Sequence, residues 1–334
     1  MTLIVTHQEL LDAGTQWRTI SQMIRCCVIR ALVGVYVIHR RCDRPLHRGA
    51  AQAIAPSDHA TLEALASTHA HIRAAAARGL LIEAFTASRH GAGLLDRGAA
   101  VFSHLSAAHL HGLAPALDEP PRVEVLRPGR THRSEYSHLR ALSVPDDQIV
   151  EVQGSPATSV PRTLIDIART RGLDQAVPMA DAAVRSDLLE RGDLAACLRE
   201  DERRRVAAVD DLIRLVDGLH ESAGESILAV RLDRAGLLDG ALPQHAVFGA
   251  QGFIARVDFA YPAARLAIEF DGYGKYFFDD PDGRAALKSE RRREAALRTE
   301  GWEVIRVEWR DLFDPAAMRT IIARIRRHLA RAAA

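Results

Sequence analysis

The chain of 334 residues is nearly devoid of lysine: Lys275 and Lys288 are the two it has, although it carries 44 basic residues in all. Arginine has taken over the cationic positions. A lysine that survives such a bias is a candidate for work arginine does badly, as a compact point charge or a proton donor. Cysteine is also scarce. Cys26, Cys27, Cys42 and Cys197 show no CxxC spacing, so they read as buried thiols of a reducing cytoplasm, not as a disulfide framework or a zinc knuckle. Aromatics make up 5%. No apolar run approaches the roughly 20 residues of a membrane helix, and the opening MTLIVTHQELLDAG lacks the basic start of a signal peptide. A cytoplasmic protein with no membrane partner is expected. Charge of one sign is missing too: the formal net is +1, so any affinity for nucleic acid must come from local basic surface.

What is present is 48% hydrophobic and 26% charged sequence, enough for ordinary cores and for two or three domains. We expect an α/β multidomain protein with a winged-helix-like region over 1–50, a middle α/β domain over 51–220 and a third domain over 221–334.

Residues 1–50 read as helix, turn, helix, hairpin. Thr6-His-Gln-Glu9 is a capping box, Gly14 ends the first helix, and Trp17, Ile20, Ile24 and Val28 recur at helical spacing over about 16–28. Gln16, Arg18, Gln22 and Arg25 fall largely on the other side. The β segment Val33–Ile38 leads into Arg40, Arg41, Arg44 and Arg48. Seven arginines stand against Glu9, Asp12 and Asp43, a local net of +4. This is the outline of a winged helix, whose second helix enters the major groove while the wing touches phosphate; a small helical cap with a solvated basic edge is the bland alternative. Arg18, Gln22, Arg25, Arg40 and Arg41 are the candidate DNA contacts here. Further along, His104, His109 and His111 do not share a helical face as metal ligands would, and Ser103 and Ser106 read as helix caps.

From 221 onward the pattern is helix, three strands, helix, strand, helix. Alternate residues of a strand share a face. Asp258 in the second strand therefore opposes the Phe253, Ala255, Val257, Phe259 face, and Glu269 and Asp271 in the third oppose Leu266, Ile268 and Phe270. Strands about 4.8 Å apart bring Asp258 towards Glu269, and Glu225 joins them if the first helix crosses that face. Carboxylates this close repel unless a cation or proton intervenes. A hard ion such as Mg2+ or Mn2+ suits them, and its chemistry on phosphate is hydrolysis; the alternative is salt bridges to Arg256 and the following helix. In that helix Arg284, Lys288, Arg291 and Arg292 form one stripe, and 282–299 holds six basic against three acidic residues. The stripe suits a phosphate backbone or a solvated face.

Arg256-Val-Asp-Phe-Ala-Tyr-Pro262, Leu266-Ala-Ile-Glu-Phe-Asp-Gly272 and Gly301-Trp-Glu-Val-Ile-Arg-Val-Glu-Trp-Arg-Asp311 resemble the PD-(D/E)xK superfamily, in the branch allied to very-short-patch-repair endonucleases. The resemblance implies a restriction-endonuclease-like αβββαβ core and a metal-dependent DNA endonuclease. It implies Asp258, Glu269 and Glu225 as metal ligands. The lysine usual two residues after the second acid is Asp271 here, which leaves Lys275 or Lys288 to supply the catalytic charge. The winged-helix outline, with Phe102–Leu113 and Thr158–Arg169, resembles actinobacterial proteins related to AbiEi-like type IV antitoxins. That implies DNA binding and a cognate toxin as a further partner. Two functions follow: a Mg2+-dependent endodeoxyribonuclease, or a non-catalytic winged-helix regulator or antitoxin built on a degenerate nuclease fold.

Overall fold

The structure is a computed structural model that describes residues 3–24, 26–32, 34–40, 42–47, 59–67, 70–198, 207–250, 252–271 and 292–333. Those residues form a mixed α/β protein with three sheets, divided into two compact units. One comprises 1–170 with 192–204, the other 171–191 with 205–334.

The N-terminal unit opens with β1 (Ile4–Thr6), α1 (His7–Asp12), α2 (Trp17–Ile24), β2 (Val28–Leu32) and β3 (Val35–Ile38). The expected capping box starts α1: the Thr6 hydroxyl accepts from the Glu9 N–H at 3.2 Å, and the Glu9 carboxylate accepts from the Thr6 N–H at 2.7 Å. Gly14, at φ +78°, turns the chain into α2. β3 lies between β1 and β2, antiparallel to both. The single helical stripe expected over 16–28 does not form. α2 stops at Ile24 and turns Ile20 and Met23 inward, while Trp17 is 61% exposed and Val28 belongs to a strand.

Next come α3 (His59–Ala66), α4 (Ala70–Ala87), α5 (Arg89–Leu95), β4 (Val101–Phe102), α6 (His104–Leu110), β5 (Val123–Arg127), β6 (His132–Arg133), β7 (Ser137–Ala141), β8 (Ile149–Val152), β9 (Ser155–Thr158) and α7 (Val160–Arg171). The six strands run β6-β7-β5-β4-β9-β8 across their sheet. α4 packs against β2 and β3 of the small sheet and against β5 of the large one, with Phe85 edge-on to Phe102 at 5.7 Å. One apolar core therefore runs from the small sheet into the large one. The serines of α6 do not cap it. Ser103 holds the N-cap position without a cap bond and meets the His104 ring at 2.9 Å; the Glu124 carboxylate accepts the Leu105 N–H instead, and Ser106 Oγ accepts from the Glu124 N–H at 2.8 Å. His111 bonds the Thr158 carbonyl at 2.8 Å.

The C-terminal unit contains α8 (Leu173–Arg185) and, after α9 (Asp193–Cys197) of the first unit, α10 (Ala207–Leu215) and α11 (Ala223–Arg234). α8 packs against both α10 and α11, so 171–191, read from sequence as part of a middle segment, belong here by contact. β10 (Leu242–Gly249), β11 (Gly252–Tyr261), β12 (Leu266–Asp271) and β13 (Glu303–Glu308) follow, then α12 (Trp309–Phe313) and α13 (Pro315–Ala332). They form a sheet in that order. β10, β11 and β12 are an antiparallel meander, whereas β13 is parallel to β12. A parallel neighbour needs a crossover; its described part is a helix over 292–299 that stops at Gly301, φ +80°.

Candidate functional site

The hairpin β11–β12 carries the acids. Phe259 pairs with Ile268 and Ala260 with Ala267, so Phe259, Ile268 and Phe270 share one face and Asp258, Glu269 and Asp271 the other, as alternation requires. At the open end of this pairing the Asp258 carboxylate accepts the Phe270 N–H at 2.7 Å, replacing a carbonyl of the ladder. Glu269 is buried, and its oxygens meet Arg293 at 3.1 Å and Arg306 at 3.6 Å. The parallel register sets Arg306 directly beside Glu269. The same guanidinium reaches Asp271 at 3.6 Å and Glu294 at 3.3 Å. Acids and arginines thus alternate across this face as a network, the geometry that makes ion pairs worth most.

Glu225 sits elsewhere. Gly224, its neighbour on α11, lies so close to Phe270 that a Cβ there would stand 2.0 Å from the ring. α11 therefore covers the apolar face, opposite the hairpin acids. Glu225 occupies the first turn behind the Ser222 N-cap. It accepts from Ser222 Oγ at 2.7 Å, the Glu221 N–H at 2.9 Å and Gln244 Nε2 at 2.8 Å.

The cations divide as follows. Arg18 and Gln22 are exposed on α2 beside Trp17, whose ring meets His7 edge-on at 5.1 Å. Arg40 turns back to the Cys26 carbonyl, with Nε donating at 2.6 Å. Arg292 is exposed at the start of the helix 292–299, while Arg293 turns in to Glu269. Arg25, Arg41, Lys275, Arg284, Lys288 and Arg291 lie outside the described residues.

A second polar cluster was not visible in the sequence. Asp181 on α8 is fully buried. One oxygen accepts the N–H groups of Asp217 and Gly218 at 3.2 and 3.0 Å. The other meets His220 Nδ1 at 3.0 Å and accepts from Ser226 Oγ at 2.7 Å. His220 also approaches Asp217 at 3.3 Å and lies 5.3 Å from the Phe259 ring. Donor atoms of Asp181, Asp217 and His220 all lie within 4.8 Å of one another, but the lone pairs of Asp181 are already occupied by these donors. Partners 39 residues apart leave no local signature; only the packing of α8 beneath the 217–220 turn joins them.

Burial opposes charge on His220, but the Asp181 hydrogen bond and the charges of Asp181, Asp217 and Glu225 outweigh it and hold the imidazole above its ordinary pKa. A raised folded-state value contributes stability that is complete below about pH 6.5 and is lost as pH rises through the folded value. The stability gap between wild type and His220→Gln is therefore expected to be wider at pH 6 than at pH 9, read from urea midpoints. A gap that widens with pH would rule this out.

No helix among the described residues is long and apolar enough to cross a membrane. No known family profile matches the chain. No solved structure matches it. It has relatives in Mycobacterium tuberculosis. Uncharacterized proteins from two strains of that organism are each 31% identical over 191 residues, covering 55% of this chain and 66% of theirs. The chain thus spans just under two thirds of the length of the relatives it matches, and those relatives carry no stated activity.

Proposed function

We propose that the C-terminal unit is a restriction-endonuclease-like αβββαβ core and that the protein is a DNA-binding, Mg2+- or Mn2+-dependent endodeoxyribonuclease. The observation that carries this is the register of β11 and β12, with Asp258 and Glu269 on one face of a mixed sheet whose last strand is parallel to the third. Carboxylates suit a hard divalent ion by donor type, but Glu269 faces Arg293 and Arg306, so an ion would have to displace those guanidinium groups. Asp258 and Glu269, with Asp271 beside them, would hold it; the bonds around Glu225 assign that side chain to the helix start instead. When bound, the ion supplies Lewis acidity and an activated water for phosphodiester hydrolysis. Arg293 and Arg306 neutralise Glu269 and Asp271 and set their orientation. Lys275 or Lys288, on the crossover, would offset charge on the phosphate. The N-terminal β1-α1-α2-β2-β3 arrangement supports a winged-helix reading, with Arg18 and Gln22 towards the groove. Arg25 and Arg41 belong to the same proposed surface, and Arg284, Arg291 and Arg292 to a phosphate-binding stripe.

One observation favours a second reading. Arg306 spans Glu269 and Asp271, where the superfamily has a lysine. Arginine ion pairs in place of a metal and a lysine support a non-catalytic DNA-binding regulator, such as an antitoxin with its own toxin partner.

Supercoiled plasmid incubated with Mn2+ or Mg2+ separates the two. Nicking or linearisation by wild type, lost in Glu269→Ala by more than the roughly 10–100-fold typical of an outer-shell substitution, supports the nuclease. Retained binding to the chain's own promoter with no cleavage by either protein supports the regulator. Equal cleavage by both removes the hairpin from the argument.

A further inference from the structure

We infer that the N-terminal unit holds a structural zinc ion on Cys26, Cys27, Cys42 and His47. The four come from two short segments, the turn between α2 and β2 and the 3-10 turn Pro45–His47 with the stretch before it. Their ligand atoms all lie within 4.8 Å of one another. Cys26 Sγ is 3.7 Å from Cys42 Sγ, and His47 Nδ1 is 3.3 Å from Cys42 Sγ and 3.6 Å from Cys27 Sγ. Tetrahedral zinc with Zn–S of about 2.3 Å and Zn–N of about 2.0–2.1 Å requires S···S edges of about 3.8 Å and S···N edges of about 3.6 Å. The three separations of 3.7, 3.6 and 3.3 Å lie within about 0.3 Å of those edges.

Chemistry selects the same ion. Three thiols and an imidazole are the donor set of closed structural zinc sites, and such sulfur-rich sites discriminate against Mg2+ and Ca2+. Thiols hydrogen-bond weakly, so three packed against an imidazole gain little from one another without a metal. All four cysteines are free, and Cys26 and Cys42 are too far apart for an S–S bond of about 2.05 Å. Cys26, Cys27 and His47 are buried and Cys42 is partly so, which closes the site. Arg40 completes it, donating to the Cys26 carbonyl at 2.6 Å and to Cys26 Sγ at 3.4 Å. Three thiolates and a neutral imidazole leave a zinc site with one net negative charge, and a guanidinium hydrogen-bonded to a ligand sulfur offsets it. Binding exchanges three thiol protons for one Zn2+, with no redox step. The ion would tie the chain after β3 to the end of α2, fixing that helix against the small sheet.

The ligand pattern, two adjacent cysteines, a third 15 residues on and a histidine five beyond that, lacks the CxxC signature. Folding the hairpin back onto the helix end is what converges them.

The test uses the full chain, purified under reducing conditions, with metal content measured by mass spectrometry. About one zinc per chain is expected, lost in Cys42→Ser and His47→Ala and kept in His47→Cys, which preserves four tetrahedral ligands. Because replacing a buried cysteine can itself disturb folding, the stripped wild type is also titrated with Co2+. Sulfur-to-cobalt charge transfer and the intense visible bands of tetrahedral cobalt are expected, displaced by Zn2+. Carboxylate-held cobalt gives no such charge transfer, so metal at the C-terminal hairpin does not mimic the result. A wild type that after reconstitution binds no zinc, or binds cobalt without the thiolate band, overturns the proposal.

Discussion

At pH 6, where His220 carries its proton, replacing Asp181 with alanine is expected to destabilise the C-terminal unit by about 3–5 kcal/mol, the cost of breaking a buried charged pair by deleting one partner. The carboxylate is fully buried and takes donors from His220, Ser226 and the backbone of Asp217 and Gly218. Alanine leaves two backbone N–H groups, a hydroxyl and an imidazole to find other acceptors in an interior that offers little water. Asp181→Asn keeps the shape and loses the charge, so it should fall between the two. The measurement is urea unfolding followed by tryptophan fluorescence in a Trp17→Phe background, which leaves Trp302 and Trp309, both in the C-terminal unit. Midpoints that move by less than about 1 kcal/mol in Asp181→Ala would show that the cluster is solvated and not structural.

The second large effect comes from a single methyl group. Gly224→Ala gains roughly 1 kcal/mol of helix propensity, and on an exposed helix it would stabilise. Here the new Cβ falls 2.0 Å from Phe270 Cε1, a separation no pair of carbons tolerates. Either the ring leaves its edge-on contact with Trp309 at 6.1 Å or α11 backs away from β12. Overpacking of this kind costs typically about 1–3 kcal/mol and sometimes more, so a net loss of about 1–2 kcal/mol is expected, with altered Trp309 emission. Phe270→Leu should relieve part of it, giving a favourable coupling in a double-mutant cycle. A stabilised Gly224→Ala would mean that α11 does not pack on the Phe270 face. It would also reopen the placement of Glu225 across the sheet from Asp258 and Glu269.

Sequence alone determined most of the local structure, because local structure answers to local rules. The Thr6–Glu9 capping box, the glycine stops at Gly14 and Gly301 and the alternation through Arg256–Asp271 are contacts between near neighbours, legible as residue types at short spacing. That alternation sufficed to put Asp258, Glu269 and Asp271 on one face. Tertiary structure decided what those acids touch. Glu269 meets Arg306 because β13 returns parallel to β12 in a register no spacing encodes, and Glu225 lies off the acidic face because Gly224 lets α11 settle on Phe270. Helical periodicity cannot tell where a helix stops, so the stripe over 16–28 overruns α2, which ends before Cys26 with Trp17 facing outward. Asp181 with His220, and Cys26 and Cys27 with Cys42 and His47, are meetings of distant segments. Side chains that are unremarkable in sequence acquire their chemistry there from burial and convergence, and these are properties of the packed chain.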